Sequence, residues 1–381
     1  MIKIKLCIIS DFYEPRGRGG AEICCKFIAD GLSLRGFDVH IITPNLEVDG
    51  YDEEYGINQT IHRYSSYIRR KILERGKATA DKLHQSSAGK EAKSELDNME
   101  SPIFNFIHFF YRKYSAWDLA RAFKKIHKKE KFDIILANNV EPIMALNHIR
   151  NIPKVGYIRD FHLFKKKIDK NIKYLAINEK ARDLGFKYGL KDITVIPDPV
   201  LNEKISSLTK QEARKKCSLN YKNICLFVGH FSPRSDPTII KDIARENPDI
   251  DFVLDGSGPI NMTSDLKNIH LMGRVKNVCD YYKSADILLY LHDPEWGLGM
   301  VPIEAMANGT PVVSLFKNTP LPMFMFDKKD MVEGIKNIFK DKKQLNDKGK
   351  ECLEITEKYK EEKILDDLEA FFKKVKNEII N

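Results

Sequence analysis

The sequence lacks both an apolar run long enough to cross a membrane and any close pairing of its cysteines. A spanning helix needs about 20 apolar residues in succession, and neither end of the 381-residue chain carries such a run. The first residues, 1–9, alternate basic and apolar side chains, which indicates a strand rather than a signal peptide. We therefore expect a cytoplasmic protein.

The seven cysteines are odd in number and scattered, which excludes a disulfide framework or a paired zinc site as the basis of the fold. We expect buried thiols at Cys7, Cys24, Cys25, Cys217, Cys225, Cys279 and Cys352. The formal net charge of +9 suits phosphorylated substrates or an anionic membrane surface. No RNA- or DNA-binding motif accompanies it, so we expect no nucleic-acid partner.

Short apolar runs alternate with helical patterns, and hydrophobic residues make up 43% of the chain, enough for two domains. Residues 4–10, a glycine-containing loop, a helix at 21–35 and residues 38–43 form a βαβ unit, whose crossover produces parallel strands. Further buried strands of the first half are predicted at 132–137, 155–158, 174–177 and 193–196.

The alternation stops at Pro197-Asp198-Pro199, because proline fixes its own φ and restricts the residue before it. It then restarts, with strands predicted at 223–228, 251–254, 270–272, 286–291 and 312–315 and helices at 237–246 and 278–284. We predict an N-terminal domain (1–199), a C-terminal domain (200–362) and a C-terminal amphipathic helix (363–381) that packs back on the N-terminal domain.

Residues 65–129 do not fit a minimal sheet, because they lack strand signals and are rich in Lys, Arg and Glu. We predict a mostly helical insertion in the N-terminal domain. Within it, residues 103–117 combine aromatic side chains with Arg112 and Lys113, which suits peripheral contact with the inner membrane surface. The alternative is a helix packed on its own domain.

The stretch 294–313 follows a predicted strand and opens a helix. Gly297 and Gly299 allow a ligand to approach the backbone closely, and the N–H groups at the helix start favour a diphosphate. Glu304, placed in the first turn, is suited to accept hydrogen bonds from a ribose diol. The alternative is that Glu304 only complements the helix dipole.

This stretch resembles the signature of family 4 of the retaining glycosyltransferases, which have the GT-B fold. Four other segments resemble the family in the same order: 10–22 its first glycine loop, 36–39 its second-strand entry, 227–233 its domain-opening strand, and 255–259 its later glycine turn. The resemblance implies an α/β protein with two doubly wound Rossmann-like domains facing a central cleft.

The resemblance also implies a nucleoside-diphosphate sugar held mainly by the second domain. Glu304 would bind the ribose, the backbone of Leu298, Gly299, Met300 and Val301 would face the phosphates or sugar, and Val275 would lie near the base. Gly19 and Gly20 would cap the diphosphate from the first domain. Such enzymes need no metal or cofactor, which agrees with the absence of a convincing Asp-x-Asp motif.

The chain departs from the family pattern at several catalytic positions. The first of two paired glutamates falls at Trp296, one residue after Glu295, and the Arg and Lys that stabilise the leaving phosphate fall at His230 and Ser235, with Arg234 displaced by one. We take Glu295, His230 and Arg234 as the replacements, and the alternative for Glu295 is that the contact with the sugar is lost. The alternative for His230 is a structural role.

In the first domain, residues 157–163 resemble a segment that usually carries His-Asp, and Arg159 stands in place of that histidine before Asp160. An arginine here is suited to bind the donor phosphate or an anionic acceptor, and the alternative is an ion pair with Asp160 or a neighbour. His162 is a weaker substitute for the missing imidazole.

The sequence therefore predicts a retaining, metal-independent glycosyltransferase of polysaccharide or glycoconjugate biosynthesis. It would transfer a hexose or N-acetylhexosamine to a glycan, a lipid-linked saccharide or another saccharide acceptor. One alternative is a non-catalytic nucleotide-sugar-binding subunit, suggested by the changes at Trp296, His230 and Ser235. A nucleotide-sugar epimerase of the same fold is a second alternative, with few candidate acid and base residues here.

Overall fold

The structure is a computed structural model. It describes residues 3–14, 19–45, 52–55, 59–66, 71, 102–232, 235, 237–291, 299–315 and 321–380. For residues 52–55, 102–109, 162, 379 and 380 it describes the backbone alone. The chain divides into two compact units, Met1–Pro197 with Leu365–Asn381, and Asp198–Ile364.

The first unit contains a sheet in the order β3-β4-β2-β1-β5-β6-β7-β8. All neighbouring strands are parallel except β3 and β4, which are antiparallel. The strands are β1 (Lys5–Ser10), β2 (Asp38–Asn45), β3 (Asp52–Tyr55), β4 (Gln59–Ser65), β5 (Ile134–Asn138), β6 (Lys154–Ile158), β7 (Lys173–Ala176) and β8 (Asp192–Val195). The order turns back at β1, so the chain winds in both directions from that strand.

The helices of the first unit are α1 (Gly20–Leu34), α2 (Pro102–Glu130), α3 (Val140–Ala145) and α4 (Glu179–Lys187). The second half of α2 is part of the main core, because Leu119, Phe123 and Ile126 are buried against residues of the sheet. Phe110 and Trp117 of the same helix are about half exposed. Of the predicted insertion, residues 67–70 and 72–101 lie outside the described residues.

The second unit repeats this arrangement with a fully parallel sheet in the order β11-β10-β9-β12-β13-β14. Its strands are β9 (Ile224–His230), β10 (Asp251–Ser257), β11 (Ile269–Gly273), β12 (Ile287–Tyr290), β13 (Val312–Ser314) and β14 (Phe324–Met325). Numbered from β9, the order is that of a nucleotide-binding doubly wound fold, with its switch point between β9 and β12.

Helices cover both faces of the second sheet: α5 (Lys210–Lys216), α6 (Ile239–Glu246), α7 (Val278–Ser284), α8 (Met300–Ala307), α9 (Met331–Lys340) and α10 (Lys342–Thr356). Side chains of a strand point alternately to its two faces. Accordingly, Cys225 and Phe227 of β9 join one buried cluster, whereas Ile224 and Leu226 join another. The predicted fold class, with two α/β units built on parallel sheets, is confirmed.

The last helix, α11 (Glu361–Ile380), belongs to the first unit from Leu365 onward. Arg35, at the end of α1, contacts Asp366 at 2.7 Å and Glu369 at 2.9 Å. Phe372 is fully buried, with its ring edge-on to Phe37. In the part of the chain that the structure describes, no helix is long and apolar enough to cross a membrane.

Candidate functional site

The candidate site of the second unit lies at the carboxyl ends of β9 and β12, where the strand order turns back. Helix α8 begins here, with Gly299 as its N-cap. The Gly299 N–H donates to the hydroxyl of Tyr290, the last residue of β12, at 3.1 Å, which fixes the helix start against the sheet. The first N–H groups of a helix have no partner within it, and they carry the positive end of the dipole. This edge is therefore suited to an anion.

Glu304 extends from the second turn of α8. It is the fifth residue of the helix, and the first turn has no acidic residue. The sequence-based placement of Glu304 in the first turn is wrong, because the helix begins at Met300 and not further along. Complementing the dipole, an effect confined to the first turn, is thus a poor account of this carboxylate.

The Glu304 carboxylate is partly buried and is held by one hydroxyl. Tyr282 donates to Glu304 Oε2 at 2.9 Å. Burial raises the pKa of Glu304 above its ordinary value, whereas the Tyr282 hydrogen bond and the charge of Lys204 lower it. A carboxylate oxygen accepts several hydrogen bonds, so the group retains acceptor capacity for a ligand diol.

Asn308 connects Glu304 to Lys204. Its side-chain amide donates to the carbonyls of both Glu304 and Lys204 at 2.8 Å, and its oxygen accepts from the Ser206 N–H at 2.8 Å. Lys204 and Tyr282 were missed by sequence reasoning. They lie 100 and 22 residues before Glu304 in the numbering, and no local pattern links such distant positions.

Val275 approaches this site through Asp255. The Val275 N–H donates to Asp255 Oδ1 at 3.1 Å. Burial raises the pKa of Tyr282, and the negative charges of Glu304 and Asp255 raise it further. The pKa of Asp255 is itself raised by burial. Val275, which we predicted to lie near the base, is therefore linked through Asp255 to the surroundings of Tyr282 and Glu304.

The glycine turn after β10 lies against the end of β9. A Cβ on Gly256 would lie 1.9 Å from the Gly229 carbonyl oxygen, and one on Gly258 would lie 2.3 Å from that of Phe231. No side chain fits at either position. The two backbones are thereby held close together beside His230.

His230 is exposed at the end of β9. Its carbonyl accepts from Ser235 Oγ at 2.6 Å, so Ser235 stabilises the following turn. The predicted site residues Arg234, Glu295, Gly297 and Leu298, together with Trp296, lie outside the described residues.

The first unit has a matching switch point, between β1 and β5. Gly19 is the N-cap of α1 and Gly20 its first residue. A Cβ on Gly19 would lie 2.5 Å from Glu22 Oε2, the end of a flexible side chain that would have to move aside. Both predicted glycines are thus at a helix start directly after the first strand, as the sequence implied.

Arg159 is held at the same edge by Asn138. The Arg159 Nε donates to Asn138 Oδ1 at 2.9 Å, and Asn138 Nδ2 donates to Ser10 Oγ at 3.3 Å. The guanidinium carbon lies 4.0 Å from the ring centroid of Tyr157. Arg159 is therefore oriented by an amide and an aromatic ring at the ends of β1, β5 and β6.

Asp160 follows at the start of a short 3-10 helix, Phe161–Lys165. Near it, Arg112 Nε lies 3.1 Å from Glu141 Oε1. The pKa of Lys166 is lowered by burial and by Arg112, against the opposing charges of Glu141 and Asp160. Arg112 was not among the predicted site residues. The structure of the His162 side chain is outside the described part of the chain.

Comparison with known proteins agrees with this geometry. Residues 217–335 match the family model "Glycosyl transferases group 1". The chain has the GT-B fold, and the residues that match the family model lie within its second unit. No curated protein sequence matches the chain significantly.

Solved structures of the GT-B type are similar over almost the whole chain. A sucrose-phosphate synthase from Thermosynechococcus elongatus has a TM-score of 0.71 at 16% identity, covering 98% of this chain and 99% of the other. Anabaena HepE in complex with UDP-glucose has a TM-score of 0.63 at 15% identity, covering 97% and 100%. Trehalose-6-phosphate synthase from E. coli, bound with UDP-2-fluoro glucose, has a TM-score of 0.66 at 11% identity, covering 98% and 99%.

Glu304→Gln should raise the unfolding midpoint by a few degrees at neutral pH, because the amide still accepts from Tyr282 and removes a poorly solvated charge. The folded state binds more protons than the unfolded state at this position, since the pKa of Glu304 is raised on folding. Stability from this group is therefore lost as pH rises from the ordinary pKa through the raised one.

The gain of the glutamine variant should accordingly shrink as the pH is lowered below that interval. Thermal unfolding followed by circular dichroism at a series of pH values measures it, with Glu354→Gln, an exposed carboxylate of α10, as the matched control. Equal midpoints for Glu304→Gln and the parent at neutral pH would contradict the assigned cost of burial.

Proposed function

We propose that this protein is a retaining, metal-independent glycosyltransferase that transfers a hexose or N-acetylhexosamine from a nucleoside-diphosphate sugar to a saccharide acceptor. The observation that carries the proposal is the Glu304 carboxylate beside the start of α8, at the switch point of a unit that matches the group 1 family. Two solved neighbours are described as complexes with UDP-glucose and UDP-2-fluoro glucose, which supports a nucleotide sugar as donor.

In this proposal the donor binds along the carboxyl edge of the second sheet. The N–H groups of Met300 and Val301 bind the diphosphate or sugar beside Gly299, whose own N–H donates to Tyr290, and Glu304 accepts hydrogen bonds from the ribose diol. Val275, fixed by Asp255, lies on the base side. The partial burial of Glu304 strengthens these charge-assisted bonds, because the surrounding dielectric is lower than in water.

Retention without an enzyme nucleophile implies attack of the acceptor on the face that the diphosphate leaves. The leaving diphosphate then helps to deprotonate the acceptor, and positive groups stabilise its growing charge. We assign that stabilisation to Arg159 and His230 with Arg234, and contact with the transferred sugar to Glu295. Asp160 belongs to the acceptor side. Because protein donors face the phosphates, the reaction needs no metal ion.

Glu304→Ala should weaken nucleoside-diphosphate affinity by about 10- to 150-fold, since a charge-assisted hydrogen bond contributes about 1.5–3 kcal/mol. A thermal-shift panel of nucleoside diphosphates first selects the ligand, and calorimetric titration in the presence of a chelator then measures its dissociation constant. Glu203→Ala is the control, because Glu203 is exposed and its charge acts on Glu304 only at a distance. Unchanged affinity in Glu304→Ala would remove the ribose assignment.

Arg159→Gln should lower the turnover of sugar transfer by about 10²-fold and also weaken nucleoside-diphosphate affinity, because the guanidinium faces the charge of the leaving diphosphate. Arg159→Lys should restore little of the rate, because lysine lacks the planar group that bonds Asn138 and stacks on Tyr157. Arg182→Gln, an exposed arginine of α4, serves as the control. Full activity in Arg159→Gln would exclude a catalytic role, and a loss confined to donor affinity would assign Arg159 to the donor phosphate.

A non-catalytic nucleotide-sugar-binding subunit is the competing function, and the departures at Trp296, His230 and Ser235 favour it. The exposed His230 and the turn-stabilising Ser235 take the place of two cations of the family pattern. Binding of nucleotide without hydrolysis or transfer of any donor sugar would support that subunit. Interconversion of free nucleotide sugars would instead support an epimerase.

We also propose that α2 contacts the anionic inner surface of a membrane, where a lipid-linked acceptor would reside. Phe110, Lys113, Trp117 and Arg121 follow one another at spacings of three and four along one helix face, and all four are exposed. The Arg121 guanidinium lies 5.5 Å from the Trp117 ring centroid. Amphipathic aromatic rings among basic residues are typical of helices that lie at a membrane interface.

The double variant Phe110→Ser/Trp117→Ser should lose most of its flotation with phosphatidylglycerol vesicles, because it removes the apolar contact and keeps the basic charge. Phe186→Ser is the matched control, since Phe186 is an equally exposed aromatic of the same unit. Equal flotation of the parent protein with zwitterionic and anionic vesicles, or no flotation with either, would contradict membrane contact.

A further inference from the structure

A cavity of about 270 Å³ opens at the edge of the second sheet opposite the donor site. Its wall includes Ala285 and Asp286, directly before β12, and Thr310 and Pro311, directly before β13. It therefore lies at the amino ends of strands, whereas substrates of doubly wound sheets bind at the carboxyl ends. The nucleotide-sugar proposal gives this cavity no role.

The cavity is lined by four lysines and one acidic side chain. The lysines are Lys210, Lys283, Lys342 and Lys350, and the acidic residue is Asp286, so the lining carries four positive charges against one negative. Positive charges gathered around a concave surface attract anions more strongly than the same charges spread over a convex one.

Asp286 is already engaged by other groups. It contacts Lys210 at 2.6 Å and Arg214 at 2.8 Å, and it accepts from the Ile224 N–H at 2.7 Å. Lys283 and Lys342 donate instead to neutral oxygens, the carbonyl of Asn308 at 3.3 Å and the side chain of Asn223 at 3.0 Å. The positive charge of these two lysines is therefore not balanced by Asp286.

The crowding of cations is visible at Lys210. Burial lowers its pKa, and the charges of Arg214 and Lys342 lower it further, against the raising effect of Asp286. Like charges near one another disfavour the protonated form. An anion among these lysines would relieve that repulsion.

The size and the remaining walls limit what fits. The volume equals roughly nine water molecules, which suits a phosphate group with a body of a few carbon atoms. Asn346 and Thr310 form polar parts of the lining, and Leu345 and Leu353 form an apolar wall. A Cβ on Gly349 would lie 2.8 Å from the Gly309 carbonyl oxygen, so glycine allows α10 to pack closely against that backbone beside the cavity.

We propose that this lysine cavity binds a small phosphorylated metabolite at a site separate from the nucleotide-sugar donor. Lys283 and Lys342 bind the phosphate, with Lys350 at the rim, where 74% of its side chain is exposed. Lys210 remains paired with Asp286 in the wall of the cavity.

The test uses glycerol 3-phosphate as the probe and glycerol as its uncharged counterpart. Calorimetric titration of the full-length protein should show saturable binding of the phosphate and none of glycerol. The double variant Lys283→Gln/Lys342→Gln should weaken binding by at least about tenfold, since it removes two charge-assisted contacts. The matched control Lys267→Gln/Lys336→Gln changes two exposed lysines of the same unit and should bind like the parent.

Lysine acetylation footprinting locates the ligand independently. Glycerol 3-phosphate should protect Lys283 and Lys342 of the parent protein from acetic anhydride and leave Lys267 unprotected. Because this experiment needs only the parent protein, it tests the site even if the double variant fails to fold. Equal affinity in the double variant, protection of other lysines only, or no saturation up to about 10 mM would overturn the proposal.

Discussion

Both units depend on parallel strand pairing that turns back at the first strand of each sheet. The loops that follow parallel strands all leave the sheet at its carboxyl edge, and where the strand order turns back two neighbouring loops diverge and leave a gap. This gap lies between β1 and β5 in the first unit and between β9 and β12 in the second. Ser10 and Asn138 pair in register at the first gap and hydrogen-bond each other. Among the candidate residues that the structure describes, Gly19, Gly20 and Arg159 lie by the first gap and Glu304 lies by the second, however far apart they are in sequence.

Burial of the Glu304 carboxylate costs stability, and in the proposed function its acceptor capacity serves the donor. A buried carboxylate with a raised pKa is held by one tyrosine hydroxyl and by the charge of Lys204, fewer partners than a purely structural carboxylate such as Asp286 has. The pKa of Asp286 is lowered by its cations, although burial opposes them. The opposite directions of the two shifts separate a carboxylate with few partners from one whose charge is balanced by cations.

The repeating strands and helices were predictable because each carries an apolar run or an apolar face. Strand β4 was missed for the opposite reason: it buries polar side chains that are satisfied only by distant residues. Gln59 bonds Tyr13 and Asp30, His62 bonds His40 at 2.8 Å, and Arg63 donates to the Glu14 carbonyl. In the site, the glycine-to-helix pattern predicted Glu304, but Tyr282 and Lys204 reach it through tertiary packing alone. The first turn was misassigned because a helix start depends on its cap.

Helix α8 runs from the carboxyl edge of the second sheet to its amino edge, and its dipole gives the two edges partial charges of opposite sign. Its N-terminus, at Gly299, carries the positive end of the dipole and attracts an anion through backbone N–H groups. Its C-terminus, at Asn308, carries the negative end, where an anion would be repelled. Lys283 donates to the Asn308 carbonyl at 3.3 Å and compensates this partial charge. In the two proposals, side-chain cations bind the anion at the amino edge of the sheet, whereas backbone N–H groups bind it at the carboxyl edge.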